Sequence, residues 1–468
     1  MILLLLALTM TAIPFVVGSR SGLLPMLSPL HVLSYLLLLG VVVKTIYMVF
    51  LDGVIFFQIF NVADSDVREG YIFILLFVTA ICAGYLFSSL RRVDRASKAQ
   101  LIQAFDKVNK PKIIAVFGVA SALAILLFLV TSRGLGGFGA LFDSQTLSTL
   151  NSEKIARIEG QDEFGASGSA VKVFIIFQKF ALLFFLARAI LRKGSYVPFL
   201  IFLAIDAFMI TVQGSRIALV NTLLIIMMVP LLLGQRIRVK NLALGGVVAV
   251  MILALFVAMT NFRATRQGVD TEFSLEPAIE QIVSSTYFMD ISAPTLVIAL
   301  SDEDDRFWGT SYINWTWGWI PRAIWPEKPA IDTGLYLKRE ILNLRGTIGG
   351  INPTGPGEAF LNFGWLGLIA GFFYGMIFRV LEVFTLSRRG VAKFHGLWLY
   401  PLTIIPFIMG ALQSSFSGVL VSAAVASVIL VAFLTGISKK YRKKRPRKAY
   451  PAAIQVRRAE VRDGRVKA

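Results

Sequence analysis

The sequence predicts an all-α, polytopic integral membrane protein, and three observations carry that reading. The first is bulk: 56% of the 468 residues are hydrophobic and the mean hydropathy is +0.71, more apolar surface than a soluble domain can bury. The second is periodic: apolar runs of about 20 residues, the length that crosses a bilayer core, recur along the chain. The third is that the connections between these runs alternate in charge. The runs are too long and too uniformly apolar for barrel strands, so they are expected as helices, which satisfy their own backbone groups in lipid.

About eleven candidate spans lie near 2–18, 28–50, 71–90, 113–132, 171–190, 196–213, 217–234, 242–259, 365–384, 397–416 and 418–437. The opening MILLLLALTMTAIPFVVG lacks a basic leader and a small-residue cleavage site, so it reads as a retained span. The connections 91–112, 191–195, 235–241 and 387–396 are basic, and the tail 438–468 is strongly so. Basic connections face the cytoplasm, which puts the N-terminus outside and the C-terminus inside. The chain then divides into a bundle of about eight spans (1–259), a large extracytoplasmic loop (260–364), about three further spans (365–437) and a basic cytoplasmic tail (438–468). The net charge of +19 is accounted for by the inner connections and tail. The expected partner of the tail is anionic lipid, not nucleic acid. Within the outer loop, 278–300 has helical spacing of apolar residues and is expected to lie on the membrane face. Ser311 to Pro329, rich in Trp, Pro and Gly, is expected to be irregular or partly re-entrant.

Polar residues inside spans are costly and are candidates by default. Lys179 and Asp206 lie equally far from the centre of the short loop 191–195, so they are expected to meet as an ion pair, structural or part of a proton or ion relay. Lys44, nearer the outer end of its span, is expected to snorkel outward. Arg379 and Glu382, three residues apart, are expected to pair locally. The single cysteine, Cys82, excludes an intramolecular disulfide and a thiolate cage. His31 and His395 are too few and too far apart for a metal site, and neither metal nor cofactor is expected.

The outer side carries a second group. Arg216, Arg263, Arg266, Arg322, Lys328, Lys338, Arg339 and Arg345 are cations on the side where cations are disfavoured. Either each pairs with a loop carboxylate, or together they bind an anion; guanidinium groups suit diphosphate oxygens. Trp315, Trp317, Trp319 and Trp325 crowd the segment WTWGWIPRAIWPEKP. Indoles favour the membrane interface, and aromatic faces also stack on sugar rings. In INPTGPGEAFLNFGWLGL (351–368) a constrained Gly-Pro turn precedes Glu358. That carboxylate suits a helix N-terminus and also suits a general base near the outer face.

The order of spans, the late outer loop, the GSR turn at 214–216, IPRAIWPEKP and GEAFLNFGWLG resemble the Wzy-type O-antigen or oligosaccharide repeat-unit polymerases. The resemblance is most specific over about 310–375 and implies a GT-C-like membrane glycosyltransferase of the bacterial cytoplasmic membrane, independent of metal. It implies that Glu358 and Arg322 are catalytic, that Arg216 binds diphosphate, and that Asn362 contacts sugar. The implied substrates are undecaprenyl-diphosphate-linked oligosaccharides, and a chain-length regulator is an implied partner. Related O-antigen ligases use an outer-loop histidine, which this loop lacks. A ligase and a lipid-linked oligosaccharide flippase are the alternative expectations.

Overall fold

A computed structural model describes residues 1–89, 93–131, 165–213, 216–234, 288–320, 324–325, 327–328, 333–344 and 350–438. Among them there is no strand, only an isolated bridge between Arg95 and Ser387. The main helices in chain order are α1 (Ile2–Ser21), α2 (Pro29–Phe50), α3 (Asp64–Ser88), α4 (Lys98–Lys107), α5 (Pro111–Thr131), α6 (Gly165–Arg192), α7 (Val197–Gln213), α8 (Arg216–Leu232), α9 (Ser292–Leu300), α10 (Thr354–Phe363), α11 (Leu368–Leu386), α12 (Gly396–Gln413) and α13 (Phe416–Ile437). Seven helical runs among the described residues are long and apolar enough to cross a membrane, eight if α4 and α5 count as one. Helices also stand at the expected 196–213 and 217–234, but they are shorter; 242–259 lies outside the described residues.

The basic connection 91–112 is more structured than the sequence suggests. Ser97 and Gln100 form a capping box that starts α4, and α4 meets α5 at 71°. Its apolar face, Leu101, Ala104 and Phe105, is buried.

The tightest crossing is α3 against α11, and glycine permits it. A Cβ at Gly84 would stand 1.9 Å from the Phe372 carbonyl oxygen, and one at Gly375 would stand 1.9 Å from that of Ile81. Gly371 and Gly375 are the small residues of a G-x-x-x-G pattern, which lets two spans approach backbone to backbone. This crossing places Tyr85 beside Glu382. The carboxylate accepts from Tyr85 Oη at 2.5 Å, Arg379 Nη1 at 2.7 Å and the Leu23 amide at 2.9 Å. The local Arg379–Glu382 pair is therefore one part of a cluster that also binds α3 and the α1–α2 connection.

Lys44 does not snorkel. It is buried, and its Nζ lies 2.6 Å from Asp290 Oδ1, also buried. The C-terminal part of α2 is shaped for this contact. A π-turn spans Leu38–Val42, Gly40 lets the Met289 backbone approach, and the Ile291 amide donates to the Gly40 carbonyl at 3.2 Å. The described part of 278–300 does not lie on the membrane face either. Ile291, Ala293, Leu296 and Val297 are wholly buried, and α9 packs between α3 and α10. An apolar periodicity fits both placements; the buried Asp290 anchor decides for the interior.

Lys179 Nζ lies 3.3 Å from Asp206 Oδ2, joining α6 to α7. Thr222 of α8 completes the group, donating to the same carboxylate oxygen at 2.8 Å and contacting Lys179.

Candidate functional site

The region that joins the tryptophan segment to the C-terminal helices is built around α10. Although helix runs from Thr354 to Leu386, it is not one straight crossing. A Cβ at Gly367 would stand 2.4 Å from the Ala359 carbonyl oxygen, and one at Gly355 would stand 3.3 Å from the Tyr374 ring. In a straight helix rising 1.5 Å per residue these positions would be far apart. The chain therefore folds back at the 3-10 turn Gly364–Gly367, and Gly364 has φ +57°, which favours glycine.

The segment 306–311 is stitched to the C-terminal end of α10. Arg306 Nη1 donates to the Phe360 carbonyl at 2.8 Å, the Phe307 amide to Leu361 at 2.9 Å, and the Trp308 amide to Asn362 at 3.1 Å. The Leu361 and Asn362 carbonyls are among those that the end of a helix leaves unsatisfied, while Phe360 also accepts from the Gly364 amide. The Arg306 guanidinium also stands 4.5 Å from the Phe360 ring centre. Burial lowers the Arg306 pKa, while Glu303 and then Asp305 hold it up.

Glu358 is the centre of the assembly and has no exposed surface. Ser311 Oγ donates to its Oε1 at 2.9 Å, and the Phe416 amide donates to its Oε2 at 2.8 Å. Phe416 is the first residue of α13, so the carboxylate caps another helix, not its own. Asn362, also wholly buried, donates through Nδ2 to Ser311 Oγ and to the Glu358 carbonyl, both at 2.7 Å, and accepts from the Gly309 amide at 2.9 Å. Ser417 Oγ donates to the Ser311 carbonyl at 2.5 Å. The hub binds three segments distant in sequence: the tryptophan segment, α10 and the start of α13. Burial, and then the charge of Glu358, hold the Tyr312 phenol well above its ordinary pKa, so it stays protonated.

Glu358 and Asn362 are wholly buried, and both bond Ser311. The tryptophans divide between two sides. Trp315–Gly318 is a helical turn on α13, which puts Trp315 and Trp319 on one side. They are 45% and 66% exposed, whereas Trp317 is half-buried with its indole nitrogen turned inside. Trp325 and Trp308 are exposed as well. Lys328 Nζ donates to the carbonyls of Ile320 at 2.7 Å and Gly318 at 3.2 Å, so it closes the segment instead of facing outward.

No protein-family model, no curated protein and no solved structure matches this chain. What the outer region can do follows from its own chemistry. Arg322, Arg263, Arg266 and Arg345 lie outside the described residues. Arg216 opens α8, and its side chain is outside the description. Among the described residues no group of three or more His, Cys, Asp or Glu is arranged to hold a metal. Sequence reasoning missed Ser311, Ser417 and the Phe416 amide. The polar run QSSFS between two apolar spans was the available signal.

Proposed function

We propose that this protein polymerises lipid-linked oligosaccharide repeat units on the outer face of the bacterial cytoplasmic membrane. The observation that carries the reading is the tryptophan segment: exposed indoles at Trp308, Trp315, Trp319 and Trp325, on a backbone clamped through Ser311 to α10 and α13. A rigid, exposed aromatic surface suits sugar rings of varied hydroxyl pattern. The resemblance in IPRAIWPEKP and GEAFLNFGWLG supports the same reading.

In the scheme, the growing glycan on undecaprenyl diphosphate is the donor, and a repeat unit on a second carrier is the acceptor. A hydroxyl oxygen at the acceptor's non-reducing end attacks the anomeric carbon of the donor. The carbon–oxygen bond to diphosphate breaks, and the lipid diphosphate departs with the bonding pair. Arg322 stabilises the charge that develops on that leaving group, and Arg216, Arg263, Arg266 and Arg345 hold diphosphate. Lys328, Glu358 and Asn362 hold the segment in place. The hydroxyl proton is taken up by the departing diphosphate, whose oxygens carry the developing negative charge.

Arg322→Ala is expected to lower the rate of product formation by about 10²–10³-fold in purified protein that keeps its melting temperature. Replacing Trp315 and Trp319 together by Ala is expected to weaken substrate use, and Trp317→Ala to act through stability instead. Equal activity in the Trp315/Trp319 double variant would remove the platform. A flippase is the second reading, and the buried Lys179–Asp206–Thr222 group is what favours it. Movement of a labelled carrier across liposomes without any new glycosidic bond would select it.

A further inference from the structure

Beneath the tryptophan segment, unpartnered polar atoms converge. Tyr312 Oη, Tyr374 Oη, Thr354 Oγ1 and Gln413 Nε2 are buried, and none finds a protein hydrogen-bond partner. Thr354 and Tyr374 are 1% and 3% exposed. The four come from four segments that meet at one place. The Tyr312 and Tyr374 rings are 6.2 Å apart, and both pack on Phe416, at 5.7 and 5.2 Å, whose amide bonds Glu358. The Tyr374 ring and the Ala411 carbonyl both border Gly355, next to Thr354 and close to the end of α12 that carries Gln413. The two phenols turn toward each other, with Tyr374 placed as donor toward Tyr312, but short of full hydrogen-bond geometry.

The backbone is held in an unusual form at the same point. Thr354 has φ +66°, in the left-handed region that a β-branched residue rarely enters. Such conformations cost on the order of 1–3 kcal/mol and gather at binding and catalytic sites.

Leaving one polar group unsatisfied in an interior is expensive; Thr354 and Gln413 have no partner and the two phenols have only each other, so the junction calls for an occupant. The chemistry selects it. Two phenols and a threonine hydroxyl both donate and accept, an amide nitrogen donates, and aromatic rings form the walls. That set suits a neutral hydroxyl better than an ion. We propose that the junction of Thr354, Tyr312, Tyr374 and Gln413 is a binding site for a hydroxyl-bearing ligand. Two sources share that chemistry: bound water, and a hydroxyl of a sugar admitted when the segment above lifts. The inference does not depend on the glycan reading, because the site stands with water alone.

The test is pulsed X-ray hydroxyl-radical labelling of the purified full-length protein, which oxidises buried side chains that touch bound water. Tyr71 and Tyr85 serve as controls, since both are wholly buried and bond Thr45 and Glu382. Tyr312 and Tyr374 are expected to label well above those controls. Tyr312→Phe and Tyr374→Phe are expected to lower the melting temperature by roughly 2–4 °C, because each removes a hydrogen bond to the occupant. Undecaprenyl diphosphate carrying a disaccharide, compared with the sugar-free carrier, separates the sources. Protection by the sugar-bearing lipid alone assigns a sugar hydroxyl, and no protection assigns water. If Tyr312 and Tyr374 stay as unlabelled as the controls, or if both Phe variants keep or raise the melting temperature, the proposal is overturned.

Discussion

Glu358 and Glu382 are both fully buried carboxylates near helix ends in one stretch of chain, yet they are held in different ways. Glu382, toward the C-terminal end of α11, receives a guanidinium, a phenol and a backbone amide, and its partners come from long apolar helices and a short connection. Glu358, on α10, receives a serine hydroxyl from the tryptophan segment and the first amide of α13. The Glu382 cluster fastens helices to one another. The Glu358 cluster fastens a loop to helices, and that loop carries the exposed tryptophans. A carboxylate used to position a loop belongs where binding is done, and one that neutralises a buried guanidinium belongs where the bundle must not move.

The comparison can be broken most sharply at the Glu382 cluster. Glu382→Ala leaves Arg379 buried without its carboxylate and is expected to cost roughly 3–5 kcal/mol, seen as loss of folded protein in detergent. The same change combined with Arg379→Met should recover much of that yield; no recovery would mean that the cluster is not a charge lock. Glu358→Gln keeps the shape and one acceptor, so it is expected to cost about 1–3 kcal/mol of stability, read as a lower melting temperature. Its distinguishing mark is greater proteolysis between Trp308 and Trp325, while Glu382 variants lose the whole fold. Ser311→Ala should show the same local signature with a smaller loss, about 1 kcal/mol.

The smallest effect concerns pH at His395, just before α12. Burial, and then the nearby Lys107, lower the His395 pKa from its ordinary 6.5. A group with a depressed folded pKa holds its full contribution above the unfolded value, and that contribution is lost as the pH falls below it. Melting temperature should therefore decline slightly below pH 6.5, and less so in His395→Asn, since asparagine tolerates the φ of +55° at this position. An unchanged decline in that variant would place the titrating group elsewhere.

Much of the bundle was legible in the sequence. Apolar runs of spanning length sufficed for α1, α2, α3, α6, α12 and α13, and hairpin symmetry sufficed to bring Lys179 to Asp206. Three features were not legible, each for a physical reason. Lys44 was read as a lone lysine because Asp290, its partner, lies 246 residues away in a loop whose pairing no local pattern encodes. The tryptophans were read as a set because W-x-W-x-W looks uniform in one dimension, and a helical turn sends alternate indoles to opposite sides. Glu358 was given to its own helix because sequence shows acidic residues and not the backbone amides, such as that of Phe416, that complete their shells.

The most direct test of the account uses wild-type protein in liposomes with a synthetic undecaprenyl-diphosphate repeat unit and no nucleotide sugar, with products separated by size. The account predicts a ladder of products that differ by one repeat unit, each step releasing one undecaprenyl diphosphate. Substrate that remains a single unit in the presence of folded protein, with a chemically competent repeat unit confirmed by an unrelated transferase, would contradict it.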